Sequence, residues 1–377
     1  MFVTGSLEHG GAEHHAVTLM NRLAERGHEC HAVYVKPGGD QLARIRLRGA
    51  GTVHCLEAER FFDRRALSKF AAHLSRIDPA AIVAENPYAL MYAWLALRLS
   101  RCRAPLVSAY HSTRYGGLKE QLKLLAYRLF IWSAACTVFV CESQRRYCMR
   151  RALFSRRNAV IRNGVDTEHF RDTSSASARS ALRASLGFSD GDYVIGIAAG
   201  LRPEKNHLQL VDAVAQLRGR GIPARALMIG DGAMRGAIEE RARALGVARD
   251  IAIAGFREDV RPWISACDAM VLCSLTEALS LAAIEAMAMG KPVVHSDVGG
   301  ARELIAPGRN GFLFPAGDTA ALVNRLVILA DRQTSARMGR VAREAAETYF
   351  TESRMVDGYE RTLLGLCGAG LEYAVRP

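Results

Sequence analysis

Glu277-Ala-Leu-Ser280-Leu281-Ala-Ala-Ile-Glu285-Ala-Met-Ala-Met-Gly290-Lys-Pro292-Val-Val-His295 is the stretch on which the reading of this 377-residue chain turns. Ser280 carries the short side-chain oxygen that caps a helix N-terminus, and Leu281 to Met289 are strong helix formers. Gly290 and Pro292 end the run. Pro292–His295 then reads as the next buried strand. A helix beginning at Leu281 leaves the amides of Leu281, Ala282 and Ala283 without intrahelical acceptors, a set of donors suited to phosphate. Glu285 lies one turn into the helix and Glu277 just ahead of it, so each can accept hydrogen bonds from vicinal hydroxyls. A nucleotide-sugar presents ribose hydroxyls, a diphosphate and sugar hydroxyls in that order. On spacing alone, a capped helix with one exposed glutamate accounts for the stretch equally well.

Working outward, buried strands alternate with amphipathic helices, which predicts α/β architecture with parallel sheets. The first series of strands is Phe2–Thr4, Glu29–Val35, Ala81–Ala84, Leu106–Tyr110, Ala135–Cys141 and Ala159–Ile161. The second is Tyr193–Ala198, Ala224–Ile229, Ile251–Ala254, Ala269–Cys273, Pro292–His295 and Gly311–Phe314. Between them, Thr173-Ser-Ser-Ala-Ser-Ala is polar and low in complexity and reads as a linker. Two such series predict two Rossmann-like domains with a ligand cleft between them. The expected domains are residues 1–170 and 171–353, with a helix over about 354–377 crossing back to the first. The first strand is short for a buried parallel strand; either this edge is trimmed or the natural start lies upstream of Met1.

Half of the residues are hydrophobic, enough for two cores. The nine cysteines are scattered without CxxC spacing, the pattern of reduced thiols in the cytoplasm. Charge is unevenly placed. Residues 1–172 hold 26 Lys and Arg against 15 Asp and Glu, and the remainder holds 24 against 23. A basic first half implies an anionic partner such as nucleic acid, anionic lipid or a phosphorylated acceptor. Two stretches pair cations with apolar residues as interfacial segments do. One runs from Lys119 through Lys123 to Arg128, and the other from Arg145 to Arg157 with six arginines. No helix-turn-helix signal or aromatic platform accompanies them, which argues against nucleic acid.

Several loops fall at the carboxyl ends of predicted strands, the side where doubly wound sheets bind ligands. Gly10-Gly11-Ala-Glu13 follows the first strand and leads to a helix predicted over Ala16–Arg26; its glycines let backbone approach a bound group. Gly200-Leu-Arg202-Pro-Glu-Lys205-Asn206 follows the first strand of the second series, where Arg202 and Lys205 can clamp a diphosphate. Gly230-Asp-Gly232 and Gly255-Phe256-Arg257 follow two more strands. His111 ends a strand of the first domain, placed to bond a sugar or assist an acceptor hydroxyl. His9, His14 and His15 do not have the spacing of a metal set, and Asp190-Gly-Asp192 reads as a turn.

Together these motifs resemble the family 4 glycosyltransferases, and the resemblance covers nearly the whole chain. It rests on Gly10 to Glu13, Arg162-Asn-Gly-Val-Asp166 with Phe170, Gly200 to Asn206, Gly230 to Gly232, Gly255 to Arg257, Glu277 to Glu285, and Val298-Gly-Gly300 with Glu303. The resemblance implies the GT-B fold and retaining, metal-independent transfer of a hexose from a UDP-sugar or GDP-sugar. The implied acceptor is a lipid-linked or lipopolysaccharide-type glycan, met on the inner face of the cytoplasmic membrane by a basic first domain. It further implies that Glu285 holds the donor ribose, Glu277 the donor sugar, and Arg202 with Lys205 the departing diphosphate. Gly10, Gly11, Gly200, Gly230, Phe256, Arg257, Ser280 and Leu281 would line the nucleotide-sugar. Ser280 replaces the glycine that many members carry, which leaves the identity of the sugar open. Two competing classes are a nucleotide-sugar 2-epimerase of the same fold and a basic nucleic-acid-binding protein.

Overall fold

The computed structural model describes residues 1–8, 10–111 and 118–368, the side chains of 118–124 excepted. His9, the side chains of Lys119 and Lys123, and the expected helix end beyond 368 therefore lie outside the described residues. The chain divides into two compact units. Unit 1 is Met1–Asn163 joined by the segment from Ser353, and unit 2 is Gly164–Glu352.

The strands of unit 1 are β1 (Phe2–Thr4), β2 (Ala32–Tyr34), β3 (Val53–Cys55), β4 (Ile82–Ala84), β5 (Leu106–Tyr110), β6 (Cys136–Phe139) and β7 (Asn158–Val160). All pair in parallel, in the order β3-β2-β1-β4-β5-β6-β7. Side chains alternate across this sheet, as the strand period demands. Val3, Val33, Ile82, Ala84, Leu106, Tyr110 and Phe139 build the core on one face. Phe2, Ala32, Val83, Val107, Ala109 and Val138 build the core on the other. Both faces are buried, as parallel sheets require. The sequence reading missed β3, because this edge strand is only partly buried and lacks an apolar run.

The strands of unit 2 are β8 (Tyr193–Ala198), β9 (Ala224–Ile229), β10 (Ile251–Gly255), β11 (Ala269–Leu272), β12 (Val293–Ser296) and β13 (Gly311–Phe314). They too are parallel, in the order β10-β9-β8-β11-β12-β13.

The unit boundary lies at Asn163/Gly164 rather than at residue 170. Hydrogen bonds explain the difference. The Val165 amide donates to Phe350 O and the Glu352 amide to Val165 O, each at 2.9 Å. The Arg343 guanidinium donates to Phe170 O at 3.1 Å and to Thr167 O at 3.3 Å. Residues 164–172 are thereby stitched into unit 2. The Thr173–Ala178 stretch is no linker between units: Ser175 accepts from the Ala178 amide and caps the helix Ala176–Ser185.

The helix Glu352–Leu366 packs on unit 1, where Met355, Val356 and Tyr359 complete the second-face core. Arg26 donates to Asp357 at 2.6 Å and to Glu360 at 2.5 Å, and His28 Nε2 lies 2.6 Å from Glu360. Tyr359 is fully buried, and its hydroxyl has no hydrogen-bond partner among the described residues. Tyr359→Ala is expected to lower the stability of unit 1 by about 3–5 kcal/mol, the cost of deleting a large buried aromatic ring. Tyr359→Phe, which removes only the unpaired hydroxyl, is expected to cost nothing or to stabilise. Chemical denaturation of both variants checks this pair of outcomes.

Candidate active site

In unit 2 the chain grows outward from β8 in one direction and from β11 in the other. Loops leaving the carboxyl ends of these two neighbours therefore diverge, which is where doubly wound sheets bind ligands. After β8, Pro203–Lys205 form one 3-10 turn, and Asn206, in the left-handed conformation at φ 51°, turns the chain into the helix His207–Gly219. The Asn206 side chain donates to Gln209 Oε1 instead of capping that helix. After β11, Leu275 N donates to Glu204 O at 2.8 Å and laces the two loops together.

Lys205 and Glu277 meet at this point. Lys205 Nζ lies 2.5 Å from Glu277 Oε1, and Ser274 Oγ donates to the same oxygen at 2.8 Å. Glu277 is mostly buried, with 12% of its side chain exposed, so the ammonium offsets much of the cost of desolvating its carboxylate. The two expected clamp cations are thus in different states. Lys205 is already paired, whereas Arg202 is exposed, with no ion pair among the described residues.

The backbone of Glu277 is held from behind. Gly299 has φ 57°, and a Cβ there would sit 2.1 Å from Glu277 O, so the loop after β12 approaches as only glycine allows. Gly300 N donates to Ala278 O at 2.7 Å. The helix Leu281–Ala288 begins at the expected residue, capped by Ser280. Ser280 Oγ accepts from the Ala283 amide at 3.3 Å. This corrects the sequence reading, since only Leu281 and Ala282 of the three amides keep their N–H for a ligand. Glu285 is half-buried on that helix.

The other glycine loops line the same sheet edge. At Gly230, with φ 151°, a Cβ would meet Ala199 O at 2.1 Å, and Gly230 N donates to Gly255 O at 3.0 Å. The loops after β8, β9 and β10 are thus tied to each other. Phe256 is 56% exposed, and the Arg257 guanidinium lies over the Trp263 ring, 4.3 Å from its centroid. Gly200 lies beside the Arg202 side chain without a positive φ. Asp190 and Asp192 sit before β8, at the amino end of the strand. Ser180 Oγ bonds Asp190, the Ser189 amide donates to Asp192 at 2.7 Å, and Arg225 lies 3.2 Å from Asp192.

In unit 1 the glycine loop is less special than its sequence suggests. The helix Gly11–Glu25 starts at Gly11, five residues before the expected Ala16. Gly10 is extended at φ −163°, and a Cβ at Gly11 would meet nothing within 4 Å. His111 follows β5, as predicted. Its Nε2 lies 2.6 Å from Oε2 of Glu85, which follows β4 and is 1% exposed. The buried His15 stands beside them, Nδ1 3.6 Å from the same oxygen and its ring 4.5 Å from that of His111. Burial alone would push the Glu85 carboxyl up. The hydrogen bond from His111, with charge from both histidines, outweighs it and holds the group down at about 2. Burial lowers His15, with the neighbouring His111 adding to the effect.

The ligand atoms of His15, Glu85 and His111 lie within 4.8 Å of one another, a set of two imidazoles and one carboxylate. At 2.6 Å, His111 Nε2 and Glu85 Oε2 lie within hydrogen-bond distance. Sequence reasoning missed Glu85, because its link to His111 spans 26 residues and belongs to no motif.

Comparison with known proteins follows the same division. Residues 9–169 match the family described as Glycosyltransferase Family 4, and residues 192–332 match Glycosyl transferases group 1. Solved structures share the fold. Anabaena Alr3699/HepE in complex with UDP-glucose is 23% identical, with a TM-score of 0.82, over 97% of this chain and 100% of that one. Sucrose-phosphate synthase from Thermosynechococcus elongatus is 21% identical, with a TM-score of 0.82, over 98% and 99%. The fold is therefore of the GT-B class, built from two Rossmann-like domains. Within that class the chain belongs to the family 4 glycosyltransferases. Among relatives, the lipopolysaccharide core biosynthesis glycosyltransferase LpsE of Rhizobium meliloti is 27% identical over 94% of this chain and 96% of its own length. The D-inositol 3-phosphate glycosyltransferase of Streptomyces avermitilis is 34% identical over 51% of this chain and 43% of its own. The chain spans about half the length of two Bacillus subtilis relatives, 51% of EpsD and 57% of EpsF.

Acid is expected to remove stability in two ranges, illustrated by one buried group in each unit. His207 is buried, and desolvation with the nearby Lys205 charge lowers it from 6.5 to about 4. The unfolded chain takes up that proton first, so the contribution of His207 is present above pH 6.5 and lost as pH falls towards 4. Glu85 is depressed from 4.5 to about 2, so its contribution is present above pH 4.5 and lost as pH falls towards 2. Melting curves between about pH 7.5 and 3 should show His207→Gln flattening the upper range and Glu85→Gln the lower.

Proposed function

We propose that this chain is a retaining hexosyltransferase. It moves a hexose from a UDP-sugar or GDP-sugar to a hydroxyl of a lipid-linked or lipopolysaccharide-type glycan, and it needs no metal. The observation that carries this reading is the Lys205–Glu277 contact at the switch point of unit 2, beside the exposed Arg202 and the amides of Leu281 and Ala282. In this reading Arg202 and Lys205 neutralise the departing diphosphate, the two amides bind its oxygens, Glu285 takes the ribose and Glu277 the sugar hydroxyls. Gly200, Gly230, Phe256, Arg257 and Ser280 line the donor, and Ser280 limits the room beside the hexose. Solved relatives of this fold hold UDP and UDP-glucose, and a relative in Escherichia coli is described as a galactosyltransferase acting from UDP-Gal on a diphosphoundecaprenol-linked sugar.

In the transfer, the bond from the anomeric carbon to the leaving phosphate oxygen breaks and a bond to the acceptor oxygen forms on the same face. The acceptor proton passes to the departing phosphate. Lys205 engages Glu277, so Glu277 serves as a ligand rather than a nucleophile. Asp190 and Asp192 are spent on a turn before β8, and the cationic work falls to Arg202 and Lys205.

Removing one such contact should cost roughly 100- to 1000-fold in turnover. Lys205→Ala is expected to show that loss in folded protein, with a melting temperature lowered because the Glu277 carboxylate loses its ammonium partner; unchanged turnover would overturn the clamp. A donor-only NMR time course run alongside separates this reading from an epimerase, which would convert the donor without acceptor.

The acceptor is met at a membrane surface, on the cytoplasmic side. Leu125, Leu129 and Trp132 are exposed on the helix Leu118–Ser133, and Trp132 Nε1 donates to Ala152 O within the arginine-rich turn. Exposed Arg146, Arg150, Arg151, Arg156 and Arg157 lie in that adjoining segment. No helix among the described residues is long and apolar enough to cross a membrane, so this reading places the chain on the bilayer surface. Sedimentation with phosphatidylglycerol vesicles but not phosphatidylcholine vesicles is expected, and Leu129→Ser with Arg150→Ser should weaken it at least severalfold.

A further inference from the structure

We infer that Glu85 is the positioning residue of unit 1: its carboxylate holds the His111 imidazole through Nε2 and reserves Nδ1 for a substrate hydroxyl. This inference rests on the transferase reading above and adds to it a residue outside every recognised motif.

Topology supplies the first argument. Glu85 and His111 are the first residues past β4 and β5, which run in parallel register with Ala84 beside Ser108. Strand β4 also borders β1, and the sheet order reverses between these two, so Glu85 lies at the switch point of unit 1.

Burial supplies the second. A carboxylate that is 1% exposed persists only with a charged or strongly hydrogen-bonding partner, and the closest is His111 Nε2 at 2.6 Å. His15 supplies a wall instead of a second strong bond. Its Nδ1 is 3.6 Å from Glu85, neither of its ring nitrogens has a hydrogen-bond partner among the described residues, and its ring packs against His111. One hydrogen bond and one ring contact thus fix the His111 plane.

Chemistry supplies the third. An imidazole that gives its Nε2 proton to a carboxylate presents Nδ1 as the remaining polar atom, and which nitrogen is protonated is set by the bond the other makes. Nδ1 has no hydrogen bond among the described residues, and the His111 side chain keeps 11% exposure. Because the acceptor proton leaves with the phosphate, His111 orients a hydroxyl and Glu85 orients His111.

The experiment uses the full chain with Glu85→Gln and Glu85→Asp. The Gln amide can donate or accept and no longer selects one tautomer, while Asp keeps the carboxylate. In wild type, 15N-histidine NMR should show His111 protonated at Nε2; Glu85→Gln should give mixed tautomers, and Glu85→Asp should restore the wild-type pattern. Turnover of Glu85→Gln should fall by about tenfold, the factor one ordinary hydrogen bond carries, with the donor KM within about twofold and partial recovery in Glu85→Asp. If donor-only hydrolysis falls in step, the hydroxyl belongs to the transferred sugar; if transfer alone falls, it belongs to the acceptor. A folded Glu85→Gln protein with wild-type turnover and ring protonation would overturn the inference. So would about one equivalent of zinc in wild type that Glu85→Gln lacks, because the three residues would then be ligands. If wild type neither transfers sugar nor gains stability from UDP or GDP, the transferase reading fails, and the NMR comparison still decides whether Glu85 holds His111.

Discussion

A parallel sheet that extends in both directions from its starting strand must reverse its order once. Beyond the carboxyl ends of the two strands flanking that reversal, the loops part and leave backbone and side chains facing a shared space. Both units obey this constraint, between β1 and β4 and between β8 and β11. In each, a glutamate stands at or just beyond the exit of the later strand: Glu85 in the first, Glu277 in the second. Partial or complete burial makes an unpartnered carboxylate costly there, and each has a nitrogen partner, His111 Nε2 at 2.6 Å or Lys205 Nζ at 2.5 Å.

Rigidity around the second pair comes from backbone packed on backbone. Gly299 presses on Glu277 O and Gly230 on Ala199 O at distances no side chain would tolerate. The loops after β8, β9, β10 and β11 are further joined by amide-to-carbonyl bonds, Leu275 to Glu204 and Gly230 to Gly255. A charged pair held this way keeps its place without relying on long, flexible side chains, and its positions are suited to a ligand that must be bound in one register.

Much of the fold was legible because parallel strands buried on both faces write themselves as apolar runs; β5, β8, β9 and β13 match their predicted bounds residue for residue. Strand β3 escaped because an edge strand needs no such run. The unit boundary escaped because Arg343 reaches backbone carbonyls of Phe170 and Thr167, 173 and 176 residues earlier, a link without local trace. Of the site, the capped helix at Ser280 and the strand-end placement of His111 could be read directly. The pairing of Lys205 with Glu277 could not: the first read as a phosphate ligand and the second as a sugar ligand, and nothing in either motif indicates that they neutralise each other. The glycines told a mixed story, since Gly230 answers a real steric demand and Gly11 answers none in the described surroundings.

The Glu352–Leu366 helix belongs to unit 1 although the whole of unit 2 separates it from the rest of that unit in the chain. On the ribosome this reverses the usual order of maturation. The segment Met1–Asn163 emerges before unit 2, yet one face of its sheet lacks Met355, Val356 and Tyr359 until the whole of unit 2 has been made. Unit 2, continuous in sequence, can finish folding beforehand. During that interval the nascent first unit exposes the apolar face that this helix later covers.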